Sequence, residues 1–376
     1  MTDSRRAPSA TLAAVAAVLL ALVVVLGLLA LVVGWVAVLV LDDGVSRWVW
    51  GLLGALLLWR LVPRPARVDR RALPTSRDEQ PALHELVDAV SAEVGVAAPA
   101  RVLVDTGAAT RVHPTGYLGG AALVVALPEW TALDPGERVA ALAHELRCSR
   151  VRRGPAGILV RVAGDVLSGA RTILTPVKAV TADRKAVEQA TSTMGYFGPG
   201  DEMAGNLMRR QASAAVGGAG MQVVAVPFRA LHAVLDRAWR PTLHHAASEA
   251  DRRAAALAGP AAVRGWLLAG VGVPRGATAA HNAAHTPGVD VFLAIEAAQR
   301  PTPAELRARL DAAPAAAVDL EHPPTRERVA ALESGDVPVS DGWVERSTVT
   351  AAAVELFRMR AALGERYREE LVHGRS

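Results

Sequence analysis

The stretch Ala143-His144-Glu145-Leu146-Arg147-Cys148 holds the clearest chemistry in this 376-residue chain. On a helix, residues i and i+4 project from the same side. The His144 imidazole and the Cys148 thiolate can therefore grip one cation between them, and both are good donors for Zn²⁺. Glu145 lies beside the first donor, where a carboxylate can act as general base toward water. In the commoner form of this pattern a second histidine stands at the place of Cys148. A bare His-Glu pair also occurs on solvated helix faces, so its meaning depends on two later segments. These are Ser248–Ala254 (SEADRRA) and Glu321–Leu332 (EHPPTRERVAAL). Cys148 is the only cysteine, which excludes an internal disulfide framework.

The elements that must position these side chains follow from local patterns. Asp134, Pro135 and Glu137 supply a helix start, with a cap, a first-turn proline and an acid at the third position. Val139, Leu142 and Leu146 give that helix an apolar stripe. Residues 101–105 and 122–127 read as strands, with a turn at Gly119-Gly120. Helical spacing predicts helices over 81–94, 155–180, 303–310, 325–332 and 348–371. One further helix should end near Trp239 and another start near Leu243. Residues 212–228 carry no charge and read as a buried helix or a membrane-dipping segment. Residues 195–201 read as a loop, and 270–300, rich in Gly, Ala and His, as weakly structured. His281 and His285 have i,i+4 spacing, but Gly276, Pro287 and Gly288 around them argue for a loop.

The N-terminal part is of another kind. Thr11–Leu41 is 31 residues without a charge. As a helix it would reach about 46 Å, against a hydrocarbon core of about 30 Å. A second apolar stretch lies between Arg47 and Arg60; snorkelling of both arginines extends it to 44–62. Trp48, Trp50 and Trp59 suit an interfacial belt. The expectation is a transmembrane hairpin over 1–62, with spans 11–41 and 44–62 and an acidic turn at Asp42-Asp43. Arg5 and Arg6 precede it, and Arg64, Arg67, Arg70 and Arg71 follow, so the positive-inside rule puts both ends in the cytoplasm. Residues 63–76 then form a basic linker, 77–335 the main domain and 336–376 a C-terminal helical segment.

The three chemical segments, in this order behind an N-terminal hairpin, resemble the membrane-anchored gluzincin zinc metallopeptidases, the family of HtpX and the CAAX prenyl endopeptidases. The family pattern is an AHELGH helix, a Glu three residues before an Ala-Asp pair, and a His-Pro-Pro with an Arg four residues later. This chain has AHEL at 143–146, Ala250-Asp251, and His322-Pro323-Pro324 with Arg328. The resemblance spans roughly residues 80–332. It implies a mainly α fold with a small β-sheet, an α+β zincin-like metallopeptidase domain. It implies that His144 is a zinc ligand and Glu145 the general base. Asp251 would orient a ligand, and His322 and Arg328 would help hold the site or the transition state. Two of the family's three ligand positions are changed: the second is Cys148 and the third falls on Ala247. His244 and Asp251 share the helical face of Ala247, so either could complete a set with His144 and Cys148. Where the family has an aspartate closing the first motif, this chain has Arg153 or a near neighbour.

Charge narrows the function classes. The formal net charge is +4, yet residues 72–376 hold 33 basic and 33 acidic side chains. The excess lies along the membrane edge, which argues against nucleic-acid binding. Two functions follow. One is a membrane-anchored zinc endopeptidase that hydrolyses membrane or membrane-adjacent polypeptides, its substrate paired with the strand at 122–127. The other is an inactive pseudopeptidase that keeps the groove and acts as a membrane-bound adaptor. The partners are then the lipid bilayer and a polypeptide substrate or client, and the location a multi-pass membrane protein with a cytoplasmic domain.

Overall fold

Thirty-one uncharged residues at the N-terminus can satisfy their backbone groups in lipid only as a helix, and helix α1 covers Ala7–Leu41. The computed structural model describes residues 7–41, 44–63, 71–116, 120–174, 202–271, 276–299, 301–312, 321–335 and 345–373. It describes their side chains except those of 7–10, 174, 202–224 and 303. Helix α2, Ser46–Leu61, packs back along α1, with Gly51 beside Leu39 and Gly54 beside Trp35. The Trp35 ring lies against Gly54, where a Cβ would fall only 2.1 Å from the indole. Trp35 Nε1 also donates to the Trp50 carbonyl at 3.3 Å. Among the described residues α1 is the one helix long and apolar enough to cross a membrane, with mean hydropathy 3.3. Of the two expected spans, one is thus a helix of sufficient length and apolarity. The 16 residues of α2 reach only about 24 Å and include Arg47 and Arg60.

A small sheet follows. Strand β1 is Leu73–Pro74, helix α3 Pro81–Glu93, and strands β2, β3 and β4 are Arg101–Asp105, Arg111–Thr115 and Gly120–Ala126. The strand order is β1-β2-β4-β3. The β2–β4 pairing is parallel, and both outer pairings are antiparallel. Residues 73–75, expected as linker, instead form its edge, because Leu73 pairs with Val104 and Thr75 N–H donates to the Val102 carbonyl. Period-two alternation sorts the side chains. Val102, Val104, Leu123 and Val125 enter the main core, whereas Leu103, Ala122 and Val124 cluster with Ala72. Strand β4 is paired on both sides and offers no edge for the added strand expected at 122–127; β3 is the outer strand on its side.

Helix α4 is Leu127–Ala132, and α5 is Pro135–Arg153. The start of α5 follows its sequence signal, with Glu137 Oε2 accepting from the Asp134 N–H at 2.9 Å. Helix α6 runs Pro155–Leu174; expected residues 175–180 and the loop 195–201 lie outside the described residues. Helix α7 runs unbroken from Glu202 to Ala258. Two helices were expected there, and Pro241 costs α7 one backbone bond without ending it. The stretch 212–228 is helical within α7. Helix α8 is Pro260–Ala269, and α9 and α10 are Ala277–Ala284 and Val291–Ala297. The region expected to be weakly structured is therefore partly helical. Asp290 caps α10 by accepting from Phe292 and Leu293 N–H, and His281 lies on α9. Helix α11 is Pro303–Ala312, and α12 is Thr325–Ser334. The C-terminal segment forms α13, Arg346–Arg358, and α14, Arg360–His373, parted at Met359.

By contacts the chain divides into residues 1–64 with 159–239, and 65–158 with 240–376. This differs from the expected linear order. The chain returns to the first unit after α5, and the C-terminal helices belong to the second unit's core through Val349, Ala352, Leu356 and Leu363. The fold is mostly helical, with one small mixed sheet and an N-terminal apolar helix.

Candidate metal centre

All the candidate chemistry lies in the second unit. Helix α5 presents His144, fully buried, and Cys148, 7% exposed, one turn apart. The His144 Nε2 and Cys148 Sγ atoms are 3.4 Å apart. One tetrahedral Zn²⁺ with ordinary Zn–N and Zn–S bonds would hold such a pair about 3.6 Å apart. His322, in the segment just before α12, brings a third donor. The donor atoms of His144, Cys148 and His322 all lie within 4.8 Å of one another, so this cluster could hold a metal ion. The His144 and His322 ring centroids are 5.3 Å apart.

The other nitrogen of His144 is tied down. Its Nδ1 lies 2.8 Å from Asp251 Oδ1 on α7. Arg328, on α12, grips the same carboxylate with both arms: Nε donates to Oδ2 and Nη2 to Oδ1, each at 2.7 Å. Burial would raise the Asp251 pKa, but the hydrogen bonds from Arg328 and His144 outweigh it and hold it well below the usual range. Burial and the Arg328 guanidinium both lower the pKa of His144, which keeps it neutral, the form that ligates. The Trp266 ring of α8 lies 4.9 Å from the His144 ring and 5.5 Å from the Arg328 guanidinium. Trp266 Nε1 donates to Glu129 at 3.3 Å.

Around Cys148 the surroundings are apolar. Ala247 and Ala250 of α7 pack against it. Burial, and then the Glu145 carboxylate, push the thiol's pKa well above its ordinary value. A metal must therefore displace a proton to bind there. Glu145 is buried and paired to Arg152, with Nη2 to Oε2 at 3.1 Å. Arg152 Nη1 also donates to Glu321 at 2.9 Å. Burial alone would raise the Glu145 pKa, but the Arg152 guanidinium brings it below normal.

No protein-family model, curated protein or solved structure matches this chain. The resemblance drawn from the motifs therefore rests on the residues alone, and the structure says where each one stands. His144, Cys148 and His322 converge. Asp251 and Arg328 join them from behind, through His144. His244, the other candidate for the third ligand, is not among the converging donors. Glu249 turns to Arg147, which also donates to the Val94 carbonyl at 3.1 Å. Three participants were missed: Arg152, Glu321 and Trp266. The first had a readable signal, since residue 152 is seven beyond Glu145 and so on the same helical face. Trp266 had none, because its place is set by the packing of α8 on α5.

Proposed function

We propose that this chain is a membrane-anchored, zincin-like protein that engages polypeptide segments without hydrolysing them. The observation that carries this reading is the Glu145–Arg152–Glu321 chain. A general base must accept a proton and reach water. A carboxylate held low by a partly buried guanidinium does the first poorly. The second support is Ala247 against Cys148, where the family pattern would bring a carboxylate ligand. Zinc is the metal that the resemblance implies. His144, Cys148 and His322 would hold it, and when bound it would supply positive charge beside Glu145. Asp251 would orient His144, and Arg328 would fix Asp251. An extended client would pair with β3, the outer strand beside α5. In the membrane, α1 crosses and α2 crosses beside it with Arg47 and Arg60 snorkelling, which leaves the second unit in the cytoplasm.

A second reading, an active zinc endopeptidase with Glu145 as base, is favoured by the convergence of three donors next to that residue. Cleavage decides between them. Detergent-purified full-length protein loaded with zinc is incubated with unfolded reporter polypeptides, beside a Glu145→Gln variant. The expected result is no cleavage by either and equal reporter binding by both. Cleavage by the native chain that Glu145→Gln abolishes would overturn the pseudopeptidase reading.

A further inference from the structure

We infer that the metal centre of this chain is a three-donor His144–Cys148–His322 site, in which the segment before α12 supplies the ligand that α7 has lost. This deepens the zincin-like reading above, and it holds whether or not the chain cuts peptides. On α7, Ala247 and Ala250 pack against Cys148 and are 1% and 0% exposed. The carboxylate that α7 does offer, Asp251, is spent: both its oxygens are bound by Arg328, and one also by His144 Nδ1. Among the described residues, His322 is the third donor that reaches the pair on α5.

The arrangement around the donors is that of a supported ligand. An imidazole that binds metal through one nitrogen commonly gives the other to a carboxylate, which fixes the ring and its tautomer. His144 does this with Asp251, and its Nε2 lies 3.4 Å from Cys148 Sγ and 3.4 Å from Arg328 Nη2, a contact that a bound metal would replace. Arg328 closes a ring of contacts: His144 to Asp251, Asp251 to Arg328 on α12, and from α12 back along the chain to His322. Metal binding would therefore lock the segment 321–324 onto α5. Two imidazoles and a thiolate suit a borderline-soft divalent ion such as Zn²⁺ or Co²⁺. They do not suit Mg²⁺ or Ca²⁺, which require oxygen donors.

The test uses the full chain in detergent, stripped with chelator and titrated with Co²⁺ and Zn²⁺. Elemental analysis should give one metal per chain. Because Cys148 is the only cysteine, a thiolate-to-cobalt charge-transfer band reports on it alone. That band should vanish in Cys148→Ala. Affinity should fall at least as far in His322→Ala as in Asp251→Asn, about 10–100-fold for loss of a supporting carboxylate. His244→Ala should bind as the native chain does. Cys148→His keeps a donor and should bind metal without the band, which separates lost ligation from lost folding. Unchanged binding in His322→Ala, or loss in His244→Ala, would overturn the assignment, as would no binding by the native chain. None of these readouts involves cleavage, so failure here stays distinct from failure of the pseudopeptidase reading.

Discussion

Arg152 contacts Glu145 and Glu321 at once, and that single side chain alters what the His-Glu motif can do. The same charge logic applies at Glu129, which accepts from Thr110 N–H and from the Trp266 indole. Burial raises its pKa above the ordinary carboxylate value, against these hydrogen bonds. The sign is then fixed. The folded state holds the proton more tightly than the unfolded state, so Glu129 contributes stability below the ordinary pKa of 4.5 and loses it as pH rises through the raised value. Glu129→Gln removes the charge but leaves one acceptor oxygen for two donors, Thr110 N–H and the Trp266 indole. Its melting temperature relative to the native chain is expected to be more favourable at pH 7.5 than near pH 4. Thermal melts at the two pH values check this, and a difference independent of pH would refute it.

Helices here are stabilised across the fold as well as along the chain. Helix α3 has no acid in its first turn. Its end is closed from α13, where Glu355 accepts from Ala82 N–H at 3.0 Å and Leu83 N–H at 2.9 Å. These are otherwise unpaired N-terminal donors at the positive end of the helix. Glu355→Ala should cost about 1.5–3 kcal/mol, the range for hydrogen bonds to a charged group. Glu355→Gln should lose less. Denaturant unfolding of both variants measures it, and equal stability of Glu355→Ala and the native chain would refute it. No local pattern near Pro81 points to residue 355. The break at Met359 was not legible either: the sequence around it has helical spacing, yet α13 ends at Arg358 and α14 begins at Arg360.

At the scale of the whole molecule, α1 is long and apolar enough to anchor the chain. The protein is expected to stay with membranes through alkaline carbonate washing. If α2 also crosses, tags at the two chain ends will both be reached by protease only after the cytoplasmic face is opened; tags on opposite sides would mean that α2 lies along the interface. The apolar run of α1, the start of α5 at Asp134-Pro135 and the one-turn spacing of His144 and Cys148 were legible without any fold. Each depends on residues a few positions apart, where helix geometry alone sets the relation. The continuity of α7 past Pro241 was not legible, because neighbouring packing outweighs one lost hydrogen bond. The place of β4 inside the sheet was not legible either, since β1 and β3 are short and carry prolines, Pro74 and Pro114, that weaken a strand signal. The motif's chemistry depended most on tertiary structure. The sequence by itself determined a helix with two donors and an acid. Only the fold decided that His322, 178 positions beyond His144, converges on the pair, that Asp251 is already bound, and that Arg152 and Glu145 are paired. Donors converge through the packing of separate helices, and no spacing along one chain encodes that.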